Sequence, residues 1–224
     1  MAKNKIAIYT AITGKYEKLK EPRFVSKECD YICFTDDKNM KSNIWEIRKI
    51  NDPSNHLIKT ARRYKILPHV YLPDYEYSIW VDGSMLIIGD LRKLLKKELG
   101  NANMAFFKHP TRNCLYDEAR VCSKKKDNPK IISKQIERYK LDGYKKKQGL
   151  IASGVMIRKH NEAEVKKLME AWWDEVASFS IRDQISFNYV AWKNKANYKA
   201  IQKNIFHNEY FTRTLTGRKR KKTK

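Results

Sequence analysis

The sequence predicts an α/β protein in which helices cover a central sheet. Strand-like and helix-like segments alternate along the chain, as is typical of this class. The first strand-like segment, residues 5–12, is a nearly continuous apolar run, as expected for a parallel strand buried on both faces. With 42% hydrophobic and 12% aromatic residues, the 224-residue chain can form a sizeable core. We expect a single domain over residues 1–217, followed by a basic disordered tail or the start of a linker at 218–224.

The remaining elements follow from local patterns. Short apolar or alternating runs predict strands at residues 30–35, 44–47, 77–81, 85–88, 105–107, 153–158 and 198–201. Helical periodicity and capping residues predict helices at 56–67, capped by Asn55 and ended by Pro68, and at 91–99, capped by Asp90 and ended by Gly100. Further helices are expected at 116–140, with a break near 127–129, from Asn161 through Trp173, and from Arg182 onward.

The charge predicts an anionic ligand. Lys and Arg number 48 against 25 Asp and Glu, a net charge of +23, and six of the last seven residues are basic, which leaves +17 on the rest. Such a field attracts nucleotides, phosphates or nucleic acid. No compact aromatic and glycine signature of an RNA-binding module is present, so nucleic acid is disfavoured. The glycine motifs of Rossmann cofactor sites, P-loops and hydrolase elbows are also absent.

Two further features of the sequence predict the cellular location of the protein. The cysteines at 29, 33, 114 and 122 lack the paired spacing of a structural zinc site, so we expect reduced, mostly buried thiols. No apolar run approaches the length of a membrane span, and the first residues lack the pattern of a signal peptide. These features predict a cytoplasmic protein without a transmembrane segment.

Residues 79–84, Ile-Trp-Val-Asp-Gly-Ser, form the most informative segment. Asp82 lies where a buried strand ends, the edge at which open α/β sheets bind ligands. Gly83 would let a bulky anion approach the backbone, and the carboxylate could ligate Mg²⁺ or Mn²⁺ bridging a diphosphate. The structural alternative is a strand-ending Asp-Gly turn.

Other candidate residues have similar alternatives. Asp183 opens a helix, either as a cap that complements the helix dipole or as a general base or charge stabiliser. His207 follows the last strand and is either a surface residue or the completion of a metal site. Arg62, Arg63 and Lys65 offer cations to a phosphate.

Five motifs follow one another along the chain: YTAITGKY at 9–16, RRYKILPH at 62–69, YSIWVDG at 77–83, HPTRNCLYDEA at 109–119 and RDQISF at 182–187. Taken in order, these segments resemble a GT-A glycosyltransferase over about residues 5–195. More narrowly, the chain resembles the glycosyltransferase-like domain family that includes plant Golgi pectin- and mucilage-related proteins. It is also similar to the N-terminal glycosyltransferase domain of chlorella-virus multidomain glycosyltransferases.

The resemblance implies a GT-A fold, with a mixed, mostly parallel sheet, and assigns donor-binding positions. Thr10, Ala11, Thr13 and Asp36 fall where such enzymes hold the base and ribose, and Arg63 falls where the diphosphate is steadied. Ser153 and Gly154 match the loop near the transferred sugar, and Asp183 matches the acidic residue beneath the acceptor.

The resemblance also places Asp82-Gly83-Ser84 at the family's Asp-x-Asp metal motif, with His207 completing the metal shell. Ser84 departs from this motif because it offers only a hydroxyl or a carbonyl. This departure puts the metal affinity, or even the metal dependence, in doubt.

The implied reaction moves a hexose or deoxyhexose from a UDP-sugar, of the UDP-glucose or UDP-rhamnose type, to a hydroxyl of a glycan or glycoprotein, assisted by Mn²⁺ or Mg²⁺. Asp183 would be the base of an inverting enzyme or stabilise the oxocarbenium-like state of a retaining one. Similarity to viral proteins implies action in a host cytoplasm and downstream domains in a larger polypeptide. The alternatives are an inactive GT-A-fold domain and a basic protein that binds nucleic acid or another polyanion.

Overall fold

The computed structural model describes residues 5–51, 56–125 and 127–213. The described residues form strands β1 (Ile6–Ile12), β2 (Cys29–Thr35), β3 (Glu46–Lys49), β4 (Tyr77–Val81), β5 (Met85–Ile87), β6 (Met104–Lys108), β7 (Ile151–Arg158), β8 (Lys199–Ile201) and β9 (Phe211–Arg213). They also form helices α1 (Leu57–Ile66), α2 (Pro68–Tyr71), α3 (Leu91–Leu99), α4 (Leu115–Lys125), α5 (Pro129–Leu141), α6 (Ala163–Ser178) and α7 (Asp183–Lys193).

Seven strands form the central sheet in the order β3-β2-β1-β4-β7-β6-β8. β7 runs antiparallel to its neighbours β4 and β6, and the other neighbouring pairs are parallel. The prediction of a mixed, mostly parallel sheet is confirmed. Val81 at the end of β4 pairs with Val155, so the first residues of β7 extend beyond β4 at the edge where β1, β2 and β4 end.

The two faces of the sheet contribute to two hydrophobic clusters. Adjacent residues on a strand point to opposite faces, so Tyr9 and Trp80 pack in one cluster and Ile8 and Ile79 in the other. Residues of α1, α4, α5, α6 and α7 cover the first face, whereas α3 and the two-stranded ribbon of β5 and β9 cover the second. Helices on both faces leave the strand ends as the place where polar side chains can meet.

Several element predictions are confirmed. α3 is capped by Asp90, whose Oδ1 accepts from the backbone N–H of Arg92 at 3.0 Å, and it ends at Gly100, where φ is +57°. Pro68 ends α1 and occupies the first turn of α2. The predicted break between α4 and α5 is present at the predicted position. The four cysteines are free, and Cys33, Cys114 and Cys122 are buried.

Three predicted boundaries are wrong. The strand expected at 153–158 begins two residues earlier, at Ile151, so Ser153 and Gly154 lie within β7. The strand expected at 44–47 starts two residues later, because the Ser42 hydroxyl accepts from the backbone N–H groups of Ile44 (3.1 Å) and Trp45 (2.7 Å) and holds them in a turn. Asn161 does not begin α6. Its side-chain Nδ2 donates to the carbonyls of Pro73 and Tyr75 instead.

Two other predictions fall on residues that the structure does not describe, the Asn55 cap and the basic tail at 218–224. His56 is the N-cap residue of α1, and its Nδ1 accepts from the backbone N–H of Lys59 at 3.3 Å. Within the described ranges, no helix is long and apolar enough to cross a membrane.

Candidate functional site

Asp82 directly follows β4 and is held in place from both sides. Its backbone N–H donates to the carbonyl of Gly154 on β7 at 2.8 Å, and its own carbonyl accepts from Met85 at 2.8 Å. Its Oδ1 accepts from the indole Nε1 of Trp80 at 2.7 Å. The side chain keeps 32% of its surface exposed, so this carboxylate is both fixed and accessible at the sheet edge.

Lys65 brings the predicted site residues together. It lies in the last turn of α1, and its side chain is only 1% exposed. Its ammonium nitrogen lies 2.6 Å from Asp183 Oδ2, 3.1 Å from Ser153 Oγ and 3.2 Å from Asp82 Oδ1. A buried ammonium is tolerated only where its donors are paired, and these three partners meet that need.

The backbone of Lys65 is anchored as firmly as its side chain. Its carbonyl accepts from the Tyr9 hydroxyl at 2.8 Å and from the guanidinium of Arg158 at 3.0 Å. Arg158 is completely buried and also donates to the Tyr9 hydroxyl. Tyr9, on β1, and Arg158, at the end of β7, therefore fix the turn of α1 that carries Lys65.

Asp183 is a buried, ionised carboxylate. Its Oδ2 accepts from the Ser153 hydroxyl at 3.0 Å and lies 3.8 Å from Arg62 Nε. Burial alone would raise the pKa of Asp183, but the nearby charges of Arg62, Lys65 and Arg182 hold it well below its usual range. Asp183 is therefore negatively charged at any physiological pH and a weak proton acceptor.

The structure thus unites Lys65, Asp82, Ser153 and Asp183 in one cluster at the carboxyl edge of the sheet. Of the two arginines predicted to serve a phosphate, Arg62 is half-buried beside Asp183 and Arg63 is exposed on α1. The buried Nε atoms of Arg62 and Arg182 lack a hydrogen-bond partner in the described structure. The part of the cluster around Asp183 that Arg62 and Arg182 border is therefore rich in positive charge.

The positions assigned to base and ribose lie at the ends of β1 and β2, on the same edge. Gly14, in a left-handed conformation with φ of +59°, donates its N–H to both carboxylate oxygens of Asp36 at 3.0 Å. Thr13 donates its hydroxyl to the carbonyl of Leu57 at 2.9 Å. Thr10 is buried and Ala11 half-buried. Their contact with a nucleotide stays a prediction.

The segment at 109–119 forms a second buried cluster rather than part of the first. Glu118 is 1% exposed, and it accepts from Arg112 Nε at 2.6 Å and from the Cys122 thiol at 3.2 Å. Arg182 is influenced by the charges of both Asp183 and Glu118, so it connects the two clusters.

The residues expected to hold a metal are not gathered into a ligand set. His207 is exposed, and its backbone pairs with Thr212. Its segment approaches the site through Ile205, since a Cβ on Gly154 would lie 3.2 Å from Ile205 Cδ1 and 3.5 Å from Asp82 Oδ2. Across the described ranges, no three His, Cys, Asp or Glu side chains are grouped so that they could hold a metal ion.

Sequence reasoning missed three residues of the site. Trp80 and Arg158 looked like ordinary strand residues, and only the strand register aims their nitrogen atoms at Asp82 and at the turn of Lys65. Lys20, in the loop after β1, donates its ammonium to the carbonyl of Gly83. No spacing signal links Lys20 to Gly83, because the contact joins two loops that are far apart in sequence.

Fold and site together define the class. The solved structure of the bifunctional glycosyltransferase WbbM in its apo form matches 88% of this chain and 38% of that one, with a TM-score of 0.52 and 10% identity. The chain therefore has the fold of a GT-A glycosyltransferase. It belongs to the TOD1/MUCI70 glycosyltransferase-like domain family, whose model matches residues 1–219.

Two curated relatives come from Arabidopsis thaliana. The probable hexosyltransferase MUCI70 is 28% identical over 216 residues, which cover 83% of this chain and 37% of the relative. The alkaline ceramidase TOD1 is 24% identical over 252 residues, which cover 96% of this chain and 54% of the relative. The chain thus spans between about a third and a half of the relatives it matches, and their names describe two different activities.

Proposed function

We propose that this domain transfers a hexose or deoxyhexose from a UDP-sugar, of the UDP-glucose or UDP-rhamnose type, to a hydroxyl of a glycan or glycoprotein acceptor. The observation that carries the proposal is the cluster of accessible Asp82 with buried Lys65, Ser153 and Asp183 at the edge where the strands end. The similarity to a probable hexosyltransferase supports the same class of reaction.

The cluster suits a reaction in which negative charge develops on a departing nucleoside diphosphate. Fixed cations aimed at that charge stabilise it without reorganisation, and their effect is larger where water is excluded. Arg62 and Lys65 lie beside Asp183, while Lys20 donates to the carbonyl of Gly83, the residue after Asp82. In this proposal the donor diphosphate lies over residues 82–84 and the transferred sugar lies near Ser153 and Gly154.

The environment of Asp183 favours one of its two proposed roles. A general base works best when its pKa lies near the operating pH, whereas the pKa of Asp183 is held well below its usual range by Arg62, Lys65 and Arg182 against the effect of burial. A carboxylate kept ionised is suited to stabilise positive charge that develops on the sugar. We therefore infer that Asp183 acts through its charge rather than by accepting a proton.

Release of UDP from UDP-glucose and UDP-rhamnose tests the proposal, with the Asp82→Ala variant as the site control. Asp117→Ala, which removes a half-buried carboxylate on α4, is the matched control. We expect UDP release from the wild type and Asp117→Ala, and its loss in Asp82→Ala with retained folding. UDP binding without turnover would indicate an inactive GT-A-fold domain.

Two further assays address the competing functions. Thermal stabilisation by a DNA oligonucleotide but not by UDP would favour a polyanion-binding protein. Hydrolysis of ceramide without release of UDP would favour the activity for which the relative TOD1 is named.

A further inference from the structure

The turn at residues 82–84 is already bordered by two ammonium groups. The ammonium of buried Lys65 lies 3.2 Å from Asp82 Oδ1, and half-buried Lys20 donates to the carbonyl of Gly83. The backbone of Lys20 is fixed by Trp45, whose indole Nε1 donates to the Lys20 carbonyl at 3.0 Å. Both cations therefore lie where the resemblance implies a divalent ion.

The donor atoms of this turn fit a divalent ion poorly. Mg²⁺ and Mn²⁺ prefer several carboxylate or other oxygen ligands. Asp82 Oδ1 already accepts from Trp80 and Lys65, and the third position of the motif is Ser84 instead of a second carboxylate. Glu17 lies beside Gly83, but its charge acts on Lys20. A dication bound to Asp82 Oδ1 and the Gly83 carbonyl would have to compete with these two lysines for the same oxygens.

The same arrangement fits a diphosphate without a metal. The positive charge of Lys65 offsets the negative charge of Asp82, so this carboxylate repels an approaching phosphate less. Lys20 is a flexible point charge that could turn from the Gly83 carbonyl to a phosphate oxygen. The Glu17 carboxylate occupies the space beside Gly83, since a Cβ at this position would lie 2.5 Å from Glu17 Oε2, so this flexible side chain has to move aside when a phosphate approaches.

We propose that this site binds the donor diphosphate without a divalent ion, with Lys20 contacting the phosphates and Lys65 neutralising Asp82. The inference rests on the proposed function, because it requires that a nucleoside diphosphate be the ligand. It also assigns a diphosphate-binding role to Lys20.

Calorimetric titration with UDP, in EDTA and then in Mn²⁺ or Mg²⁺, tests the inference. We expect the same UDP affinity, within about twofold, in all three solutions. Affinity at least tenfold higher with a metal than in EDTA would overturn the inference and leave the proposed function standing. Absence of UDP binding in every solution would remove the proposed function, and the inference with it.

The role of Lys20 is tested separately with Lys20→Gln and the matched control Lys18→Gln. Both changes remove one positive charge, and Lys18 is exposed two residues away. A lost charge-assisted hydrogen bond corresponds to roughly tenfold or more in affinity. We expect Lys20→Gln to weaken UDP binding in EDTA by about this factor, with no rescue by Mn²⁺, and Lys18→Gln to bind like the wild type. Equal affinity in both variants would refute the assignment. Since Lys20 is half-buried in a loop, this variant avoids the risk of unfolding carried by changes at Lys65.

Discussion

At the scale of single residues, Lys65 and Asp183 depend on each other. An ammonium group has three donors, and Asp82, Ser153 and Asp183 supply three acceptors within 3.2 Å. Removing one member of a buried pair leaves an uncompensated charge, which usually costs more than the pair contributes. Function and stability are therefore coupled at this cluster.

Replacement of Asp183 by Asn should separate its charge from its shape. We expect unfolding in urea to show a loss of about 3 kcal/mol, because Lys65 and Arg62 lose a buried counter-ion. We expect UDP release to fall by roughly 10²-fold or more, since the fixed charge is gone. Turnover near that of the wild type with normal UDP binding would contradict both proposed roles of Asp183.

The dependence of the free energy of unfolding on pH, on the acid side of the curve, provides a second test of Asp183. Its pKa in the folded state is lowered against the effect of burial, so its stabilising contribution is complete above the unfolded value of about 4. That contribution is lost as the pH falls below 4. The Asp183→Asn variant should therefore show a flatter acid limb than the wild type.

His160 gives a separate pH prediction at higher pH. Its ring is buried, and burial lowers its pKa to about 4, although Nε2 lies 2.9 Å from the carbonyl of Leu72. As the pH falls below about 6.5, the His160 imidazole therefore takes up a proton in the unfolded chain but stays neutral in the folded chain. The free energy of unfolding should fall by up to about 1.4 kcal/mol per pH unit between pH 6.5 and 4. His160→Gln should reduce this slope, although burial also lowers the pKa of His69, and exposed His207→Gln should leave it unchanged.

At the scale of elements, strands and helices with strong local signals were predictable from sequence. β1 and β4 are apolar runs, and α3 carries both its Asp90 cap and its terminal Gly100. β3 was displaced because Ser42 captures two backbone N–H groups, a contact that propensity does not encode. β9 was missed because its three residues gain their strand geometry only by pairing with β5.

The ribbon of β5 and β9 also carries the third prediction. Gly89 lies against the chain that leads into β9, so a Cβ there would be 2.2 Å from the carbonyl oxygen of Glu209. Gly89→Ala should displace this backbone, at a cost of roughly 1–3 kcal/mol. Because Ile205 of the same segment packs on Gly154 beside Asp82, we expect UDP release to fall as well.

Gly100→Ala is the control for this change. Gly100 has φ of +57° and no atom within 4 Å of an added Cβ, so its cost of roughly 1–2 kcal/mol would come from backbone strain alone. We expect reduced thermal stability with unchanged UDP release. Normal UDP release in Gly89→Ala would show that this segment does not position the site.

At the scale of the whole molecule, the sequence could indicate which positions form the site but not how they connect. Asp82 follows β4, Ser153 lies in the first half of β7 and Asp183 begins α7, and the topology brings these positions to one edge. Whether Arg62 or Arg63 faces the cluster depends on the rotation of α1 against α6 and the sheet. The contact of Lys20 with Gly83 depends on two loops whose conformations are set by the complete fold.

The net charge of +23 leads to the last prediction. Six of these charges lie in residues 218–224, which are outside the described residues. The cluster around Lys65 lies in the described part of the chain. The logarithm of the binding constant for a nucleic acid strand falls linearly with the logarithm of the salt concentration, with a slope of roughly −0.7 to −0.9 for each phosphate contacted.

Removing residues 218–224 should therefore weaken binding to a DNA oligonucleotide and reduce the magnitude of this slope by up to about five. UDP release should remain unchanged, because the groups proposed to act on the donor all lie within residues 10–207. A large fall in UDP release on truncation, at unchanged thermal stability, would instead show that the tail contributes to the donor site.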